Sequence, residues 1–223
     1  MRSLITALLV LCIPPLLSAQ PATRLGVYDG MGFSVIEYNF YGREHDRNFE
    51  SMAHLGLVVG IPLADNLLLS VRPALTTLNG TAGLAARLRD DGGTRSYRGM
   101  IKEQWVLETP VLAKMVFNGE EMRPYLAAGP YLIFNGNPAE IEVTGDVDPA
   151  SPVTATYPTL SGGVMAAVGV EIRAASMLII APELAVRQGF AAPIDTPILT
   201  QSNTPRFLFS VGIIFPISHE RWK

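Results

Sequence analysis

Three histidines, His45, His54 and His219, are the residues from which hydrolytic or metal chemistry would start. His45 lies between Glu44 and Asp46. A metal there needs further ligands from elsewhere in the chain, so a solvated charged loop is the simpler reading. His54 opens an extended apolar segment. A lipid-modifying enzyme would set it beside a serine and an acid at one depth of one surface. The sequence offers no serine elbow and assigns His54 no partner. GDVDP at 145–149 has two alternating acids but lacks the later ligands and closing glutamate of a calcium loop. Arg87, Arg89, Asp90 and Asp91 read as a solvated loop tip, and neither a phosphate-binding glycine loop nor a zinc spacing occurs. No catalytic, cofactor-binding or metal residue is therefore assigned, no cofactor is expected, and the chain reads as non-enzymatic.

The charged residues that stand out sit inside apolar runs. In NLLLSVRPAL (66–75), Leu67, Leu69, Val71 and Leu75 share one parity, while Ser70, Arg72, Ala74 and Thr76 share the other. A period of two is the mark of a strand with unlike faces. The question is which environment takes the guanidinium.

The chain has 223 residues and a formal charge of −3, with acidic and basic residues mixed along it, so nothing resembles a basic footprint for nucleic acid. MRSLITALLVLCIPPLLSAQ (1–20) has Arg2, an apolar core from Leu4 to Leu17, and small residues at Ser18 and Ala19. That is the layout of a signal peptide cut near Ala19 or Gln20. Its apolar core is short for a span of roughly 20 residues and is broken by Pro14 and Pro15. The one cysteine, Cys12, follows Leu11 rather than a small residue, which argues against lipidation. Residues 21–223 then form one domain without disulfides or thiolate ligands. That domain carries no run long and apolar enough for a transmembrane helix; AASMLIIAPELAV comes nearest and holds Pro182 and Glu183.

The mature chain reads as eight strands: 24–36, 52–62, 67–79, 100–117, 123–135, 159–172, 177–189 and 205–217. LADN, NGEEM and RAAS connect the second to third, fourth to fifth, and sixth to seventh. The other four connections are long and polar: EYNFYGREHDRNFES, GTAGLAARLRDDGGTRSYRG, GNPAEIEVTGDVDPASPVTATYP and FAAPIDTPILTQSNT. Alternating short and long connections are those of an up-and-down meander across a bilayer, with short turns on the periplasmic side and long loops outside. About 10 residues rising ~3.3 Å each and tilted by ~45° span the roughly 25 Å apolar band of such a barrel. Closure removes the sheet edges that lipid cannot hydrogen-bond. The expected fold is all-β, an eight-stranded antiparallel up-and-down transmembrane barrel.

Parity then sorts the side chains. Trp105, Leu107, Val111, Met115 and Phe117 fall outside on strand four, as do Val164, Val168, Val170 and Ile172 on strand six. Leu178, Ile180, Leu184 and Val186 follow on strand seven, and Phe207, Phe209, Val211, Ile213 and Phe215 on strand eight. Arg72, Glu108, Lys114, Glu171, Glu183 and Arg187 fall inside, three of each sign. An eight-stranded barrel is just wide enough for side chains to fill, and buried charges are tolerable when paired. The expectation is a lumen plugged by an ionic network; the sharper alternative is a charged conduit or binding site. Tyr97, Trp105, Phe117, Tyr131, Phe134 and Trp222 are candidates for aromatic girdles at the interfaces, the tyrosines alternatively packing inside. Six strand prolines, and Asp29 and Glu103 on the lipid-side parity, run against clean strands, unless the two acids lie near the rim or a bulge shifts the register.

LETPVLAKMVF (107–117) followed after a short turn by RPYLAAGPYL (123–132) resembles the paired strands of the outer-membrane β-barrel domain family, the PorT-like group. IPLADNLLL, SGGVMAAVGVEI and LIIAPELAV fit the same resemblance, which runs over roughly residues 24–217. It implies an eight-stranded barrel in the outer membrane of a Gram-negative envelope, and that prolines are a habit of its strands. SVGIIFPI (210–217) is similar to the assembly signal of barrel proteins, through Ser210, Gly212, Phe215 and Ile217.

The expected protein is a small outer-membrane barrel with a structural or interaction role. Its expected partners are outer-membrane lipid, the barrel assembly machinery and an envelope protein of unknown identity. Two rivals stand beside it. A soluble periplasmic barrel binding an apolar ligand would bury the same apolar parity and expose the charged one. An outer-membrane lipid hydrolase or acyltransferase would need His54.

Overall fold

Alternating residues on one chain can satisfy two environments only if every backbone N–H and C=O finds a partner in a closed ladder. The computed structural model has that form. It describes residues 23–40, 43–78, 82–90, 93–101, 104–136, 141–145, 159–190, 199–201 and 204–217. The signal-peptide reading at 1–20, Glu103, GDVDP after Gly145, His219 and Trp222 lie outside them.

In chain order the strands are β1 (Arg24–Phe40), β2 (Arg43–Ala64), β3 (Leu67–Val71), β4 (Ala74–Leu78), β5 (Ala82–Asp90), β6 (Gly93–Ile101), β7 (Gln104–Val116), β8 (Met122–Phe134), β9 (Ile141–Gly145), β10 (Leu160–Ala175), β11 (Leu178–Gly189), β12 (Leu199–Gln201) and β13 (Arg206–Pro216). β1 pairs with β2 and with β13, which closes the sheet. With β3 and β4 counted as one interrupted strand, the barrel has eight antiparallel strands. Among the described residues there is no helix.

Several long connections are themselves strands. The segment 37–51, expected as a loop, continues the β1–β2 ladder as far as Phe40↔Arg43. The second and third long connections supply β5, β6 and β9, a separate three-stranded sheet. β12 pairs with the far end of β1. Past the apolar band both faces meet water, so pairing persists while the alternation that reveals a strand is lost. Strand three is broken at Arg72–Pro73, and strand four begins at Gln104 rather than residue 100.

Pro73, Pro130 and Pro182 fall where a ladder is interrupted, whereas Pro124 and Pro216 stay in register with Val170 and Arg24. The β7–β8 register lapses between Pro110↔Tyr131 and Ala113↔Ala128, where Pro130 lies, and the β10–β11 register lapses opposite Pro182. At the Arg72–Pro73 break the proline carbonyls still accept bonds, from Leu57 N to Pro73 O at 2.9 Å and from Arg72 N to Pro110 O at 3.0 Å. Proline removes a donor and leaves the acceptor, so these gaps cost the wall little.

Burial alternates residue by residue along β8, β11 and β13. The outward positions are large and apolar, among them Leu55, Leu57, Leu126, Leu184 and Phe209. The inward positions hold two apolar clusters, around Leu112 and Tyr131 and around Tyr125 and Ile179, interleaved with charged side chains. This sidedness is the reverse of what the soluble-barrel reading requires.

Two inward glycines make room for rings on the adjacent strand. Gly169 is registered opposite Tyr125 and Gly163 opposite Tyr131. A Cβ at Gly163 would lie 2.7 Å from the Tyr131 ring, and one at Gly169 would collide with the Tyr125 ring. Gly169→Ala is therefore expected to cost about 1–3 kcal/mol by overpacking, read from urea titration of the folded barrel. Tyr125→Ala in the same chain should recover part of that loss. A fully additive double variant would refute the steric account.

Candidate functional site

The inward side chains form three stacked groups, each built around a glutamate. At the short-turn end, Glu171 near the end of β10 has no exposed surface. Its Oε1 accepts from Arg24 Nη1 at 2.6 Å and Lys114 Nζ at 2.7 Å, and its Oε2 accepts from Arg123 Nη2 at 2.8 Å. Lys114 belongs to β7, Arg123 to β8 and Arg24 to β1, so one carboxylate on β10 ties the neighbouring β8 and β7 to β1, three strands away around the wall.

At mid-height Arg72 donates from Nη1 to Glu183 Oε1 at 2.6 Å and from Nε to Ser70 Oγ at 3.0 Å. Tyr125 donates its hydroxyl to Glu183 Oε2 at 2.9 Å. Tyr28 donates to the Arg72 carbonyl at 3.0 Å, bracing the broken strand. Lys114 Nζ lies 3.6 Å from the centroid of the Tyr125 ring and links this group to the first. The charge within NLLLSVRPAL thus ends on the Glu183 carboxylate.

Towards the long-loop end, Arg187 pairs with Glu108 and donates from Nη2 to Met52 Sδ at 2.8 Å. Its guanidinium carbon stands 5.9 Å from the centroid of Tyr131. Arg206 approaches Glu50 at 3.8 Å. His54 packs on Tyr28 with centroids 5.3 Å apart. Buried guanidinium and carboxylate groups persist when their hydrogen bonds are met, and these groups meet most of them.

All six charged residues singled out from the sequence are buried: Arg72, Glu108, Lys114, Glu171, Glu183 and Arg187. Four further charged residues join them, Arg24, Glu50, Arg123 and Arg206. The described buried set is thus six cations and four carboxylates rather than three of each sign. Parity continued back from Tyr125 would have found Arg123. Glu50 was hidden because it falls in a segment expected to be a loop.

The aromatic set divides. Trp105 is exposed on the lipid side at the long-loop end of β7, and Phe117 is exposed just past its other end. Phe134 is half-buried, and the side chain of Tyr97 lies outside the described ones. Tyr131 corrects the girdle assignment. It is 4% exposed and points into the lumen, because the lipid-side parity of β8 belongs to Leu126, Ala128, Pro130 and Leu132. On β13, Ser210 and Gly212 face inward while Phe215 faces outward, as does Ile217 just past the strand's end.

Two small voids lie within the network. One of ≈ 20 Å³ is bounded by Arg72, Lys114, Tyr125 and Glu183. The other, ≈ 10 Å³, is bounded by His54, Thr76, Glu108, Glu183 and Ser210. The second holds the residue types of a serine hydrolase, yet it has space for about one water. Among the described residues no group of three or more His, Cys, Asp or Glu side chains could hold a metal.

No protein-family profile matches the chain, and no curated protein matches it by sequence. Solved structures match it by shape. The outer membrane protein OprG from Pseudomonas aeruginosa superposes with a TM-score of 0.55 at 12% identity, covering 90% of this chain and 98% of that one. The outer membrane protease OmpT from Escherichia coli gives 0.50 at 12%, covering 90% and 99%. Neisserial surface protein A gives 0.47 at 11%, covering 86% and 96%. The chain has the fold of the outer-membrane β-barrels.

Proposed function

We propose that this protein is a non-enzymatic outer-membrane barrel of a Gram-negative envelope, exported by a cleaved signal peptide and related to the PorT-like group. Its lumen is a structural post. Its long-loop end, extended by the β1–β2 ladder and by the sheet of β5, β6 and β9, presents the surface on which an envelope or external partner acts. The observation that carries this reading is the filled lumen: among the described residues ion pairs and tyrosines bridge it at three heights, and the two voids described among them measure ≈ 20 and ≈ 10 Å³. The void beside His54 has room for about one water, too little for a substrate. Ser210 and Gly212 inward with Phe215 and Ile217 outward on the closing strand support recognition of β13 by the barrel assembly machinery.

The test is reconstitution of the folded barrel in planar bilayers and in sugar-loaded liposomes. Neither steady ion conductance nor sugar permeation above the protein-free background is expected. Persistent open-pore conductance would reject the plugged lumen. His54→Ala is expected to leave the phospholipid and lipopolysaccharide acyl composition of producing cells unchanged; a changed acyl pattern would revive the lipid-enzyme reading. Removing residues 82–101 should leave the heat-dependent gel mobility of the barrel intact, because those strands pair outside the wall.

A further inference from the structure

One polar row crosses five neighbouring strands on the inner face of the wall. Glu183 on β11 is registered with Ser210 on β13, Ser210 with Gly30 on β1, Gly30 with His54 on β2, and His54 with Thr76 on β4. Gly30 supplies room in the middle of the row. A Cβ there would lie 2.6 Å from His54 Cε1 and 2.7 Å from its Nε2, so the imidazole leans across β1 towards the Ser210 strand. His54 is 5% exposed and Thr76 0%. His54 Nδ1 and Thr76 Oγ1 are buried with no hydrogen-bond partner among the described residues. Both side chains border the void of ≈ 10 Å³ that Arg72, Glu108, Glu183 and Ser210 also line.

A buried polar atom without a partner is costly, and a void lined by such atoms takes up water where one lined by leucines stays dry. The lining also sets the charge of the occupant. Arg72 repels a cation, and Glu108 and Glu183 repel an anion. Each of the three already holds its counter-ion, Arg72 with Glu183 and Glu108 with Arg187. A neutral occupant is left, and the volume admits about one water. An imidazole nitrogen and a hydroxyl both hydrogen-bond to water, and one water has donors and acceptors for both. We propose that this void is the binding site of a single internal water held by His54 Nδ1 and Thr76 Oγ1. Glu183 belongs to the mid-height group and Glu108 to the upper one, so the water stands between the two and extends the polar network along the lumen. His54 then has a structural task, to hold that water, rather than to activate a nucleophile. The inference rests on the filled lumen proposed above.

The experiment is a crystal structure of the folded full chain at a resolution that shows ordered waters, with a second crystal soaked in bromide. One water peak is expected in the void, within hydrogen-bond distance of His54 Nδ1 and Thr76 Oγ1, and no anomalous bromide peak. Thr76→Val keeps the shape and removes the hydroxyl. It is expected to lose the peak and to lower the urea midpoint of the barrel in lipid vesicles, with heat-dependent mobility retained. A void without density inside an otherwise filled lumen would overturn the water site and leave the plug standing. A continuous column of waters from one end to the other would overturn both. Bromide in the void would make it an anion site and overturn the neutral ligand. A raised midpoint in Thr76→Val, the mark of removing an unpaired buried hydroxyl, would overturn it as well.

Discussion

Glu171→Ala is expected to destabilise the folded barrel by about 3–5 kcal/mol, the range for removing one partner of a buried ion cluster. The carboxylate is fully buried and receives Arg24, Lys114 and Arg123 at 2.6–2.8 Å. Without it, three cations on three strands face one another in a narrow lumen, and the described interior already holds more positive than negative side chains. Glu171→Gln keeps the shape and loses the charge, so it should lose most of the same stability. Lys114→Met should cost less, because Glu171 keeps two arginine partners and the positive excess falls. Urea titration of the barrel in lipid vesicles, followed by heat-dependent mobility, measures all three. If Glu171→Ala lies within about 1 kcal/mol of the parent, the value typical of exposed pairs, the cluster does not hold the wall together.

This cluster shows how far parity carries. Arg72, Glu183 and Glu171 are legible because each interrupts a run in which apolar residues keep one parity. Their partners are less so. Nothing local to Glu171 indicates Arg24, which is 147 residues away along the chain and reaches it only because β1 and β10 face the same lumen. Pairing across a barrel depends on closure and stagger, and neither is written in any single strand. The girdle assignment of Tyr131 failed for a related reason. Tyr131 has the amphipathic character of an interfacial residue and of a lumen residue alike. What decides between them is Gly163 on the neighbouring strand, whose missing side chain leaves space for the ring. Strand ends beyond the bilayer escaped because water on both sides erases the alternation. Loops sorted by length, by contrast, exposed the meander plainly, since only a membrane gives a chain a reason to keep one set of turns short.

Leu184→Arg tests that membrane argument with the largest effect available on the outer face. Leu184 is 59% exposed, sits midway along β11, and is registered between Val168 and Phe209, both outward. If acyl chains cover this surface, an arginine there is expected to cost about 2–4 kcal/mol, the penalty at the bilayer midplane, and Val35→Arg, nearer the long-loop end of β1, about 0–1. The depth dependence is the decisive part. A barrel in water would show no such gradient, and both substitutions would be neutral or would raise solubility, because an exposed apolar surface gains nothing from leucine. Asp29 makes the comparison stricter, since Val211 registers it against β13 one step from the Phe209 row. Leu184 and Asp29 therefore lie at similar depths, yet the chain carries an acid at one and a leucine at the other. Urea titrations of Leu184→Arg and Val35→Arg in vesicles of defined thickness give the gradient directly. Equal stabilities for the two would mean that the greasy parity of the strands does not face lipid.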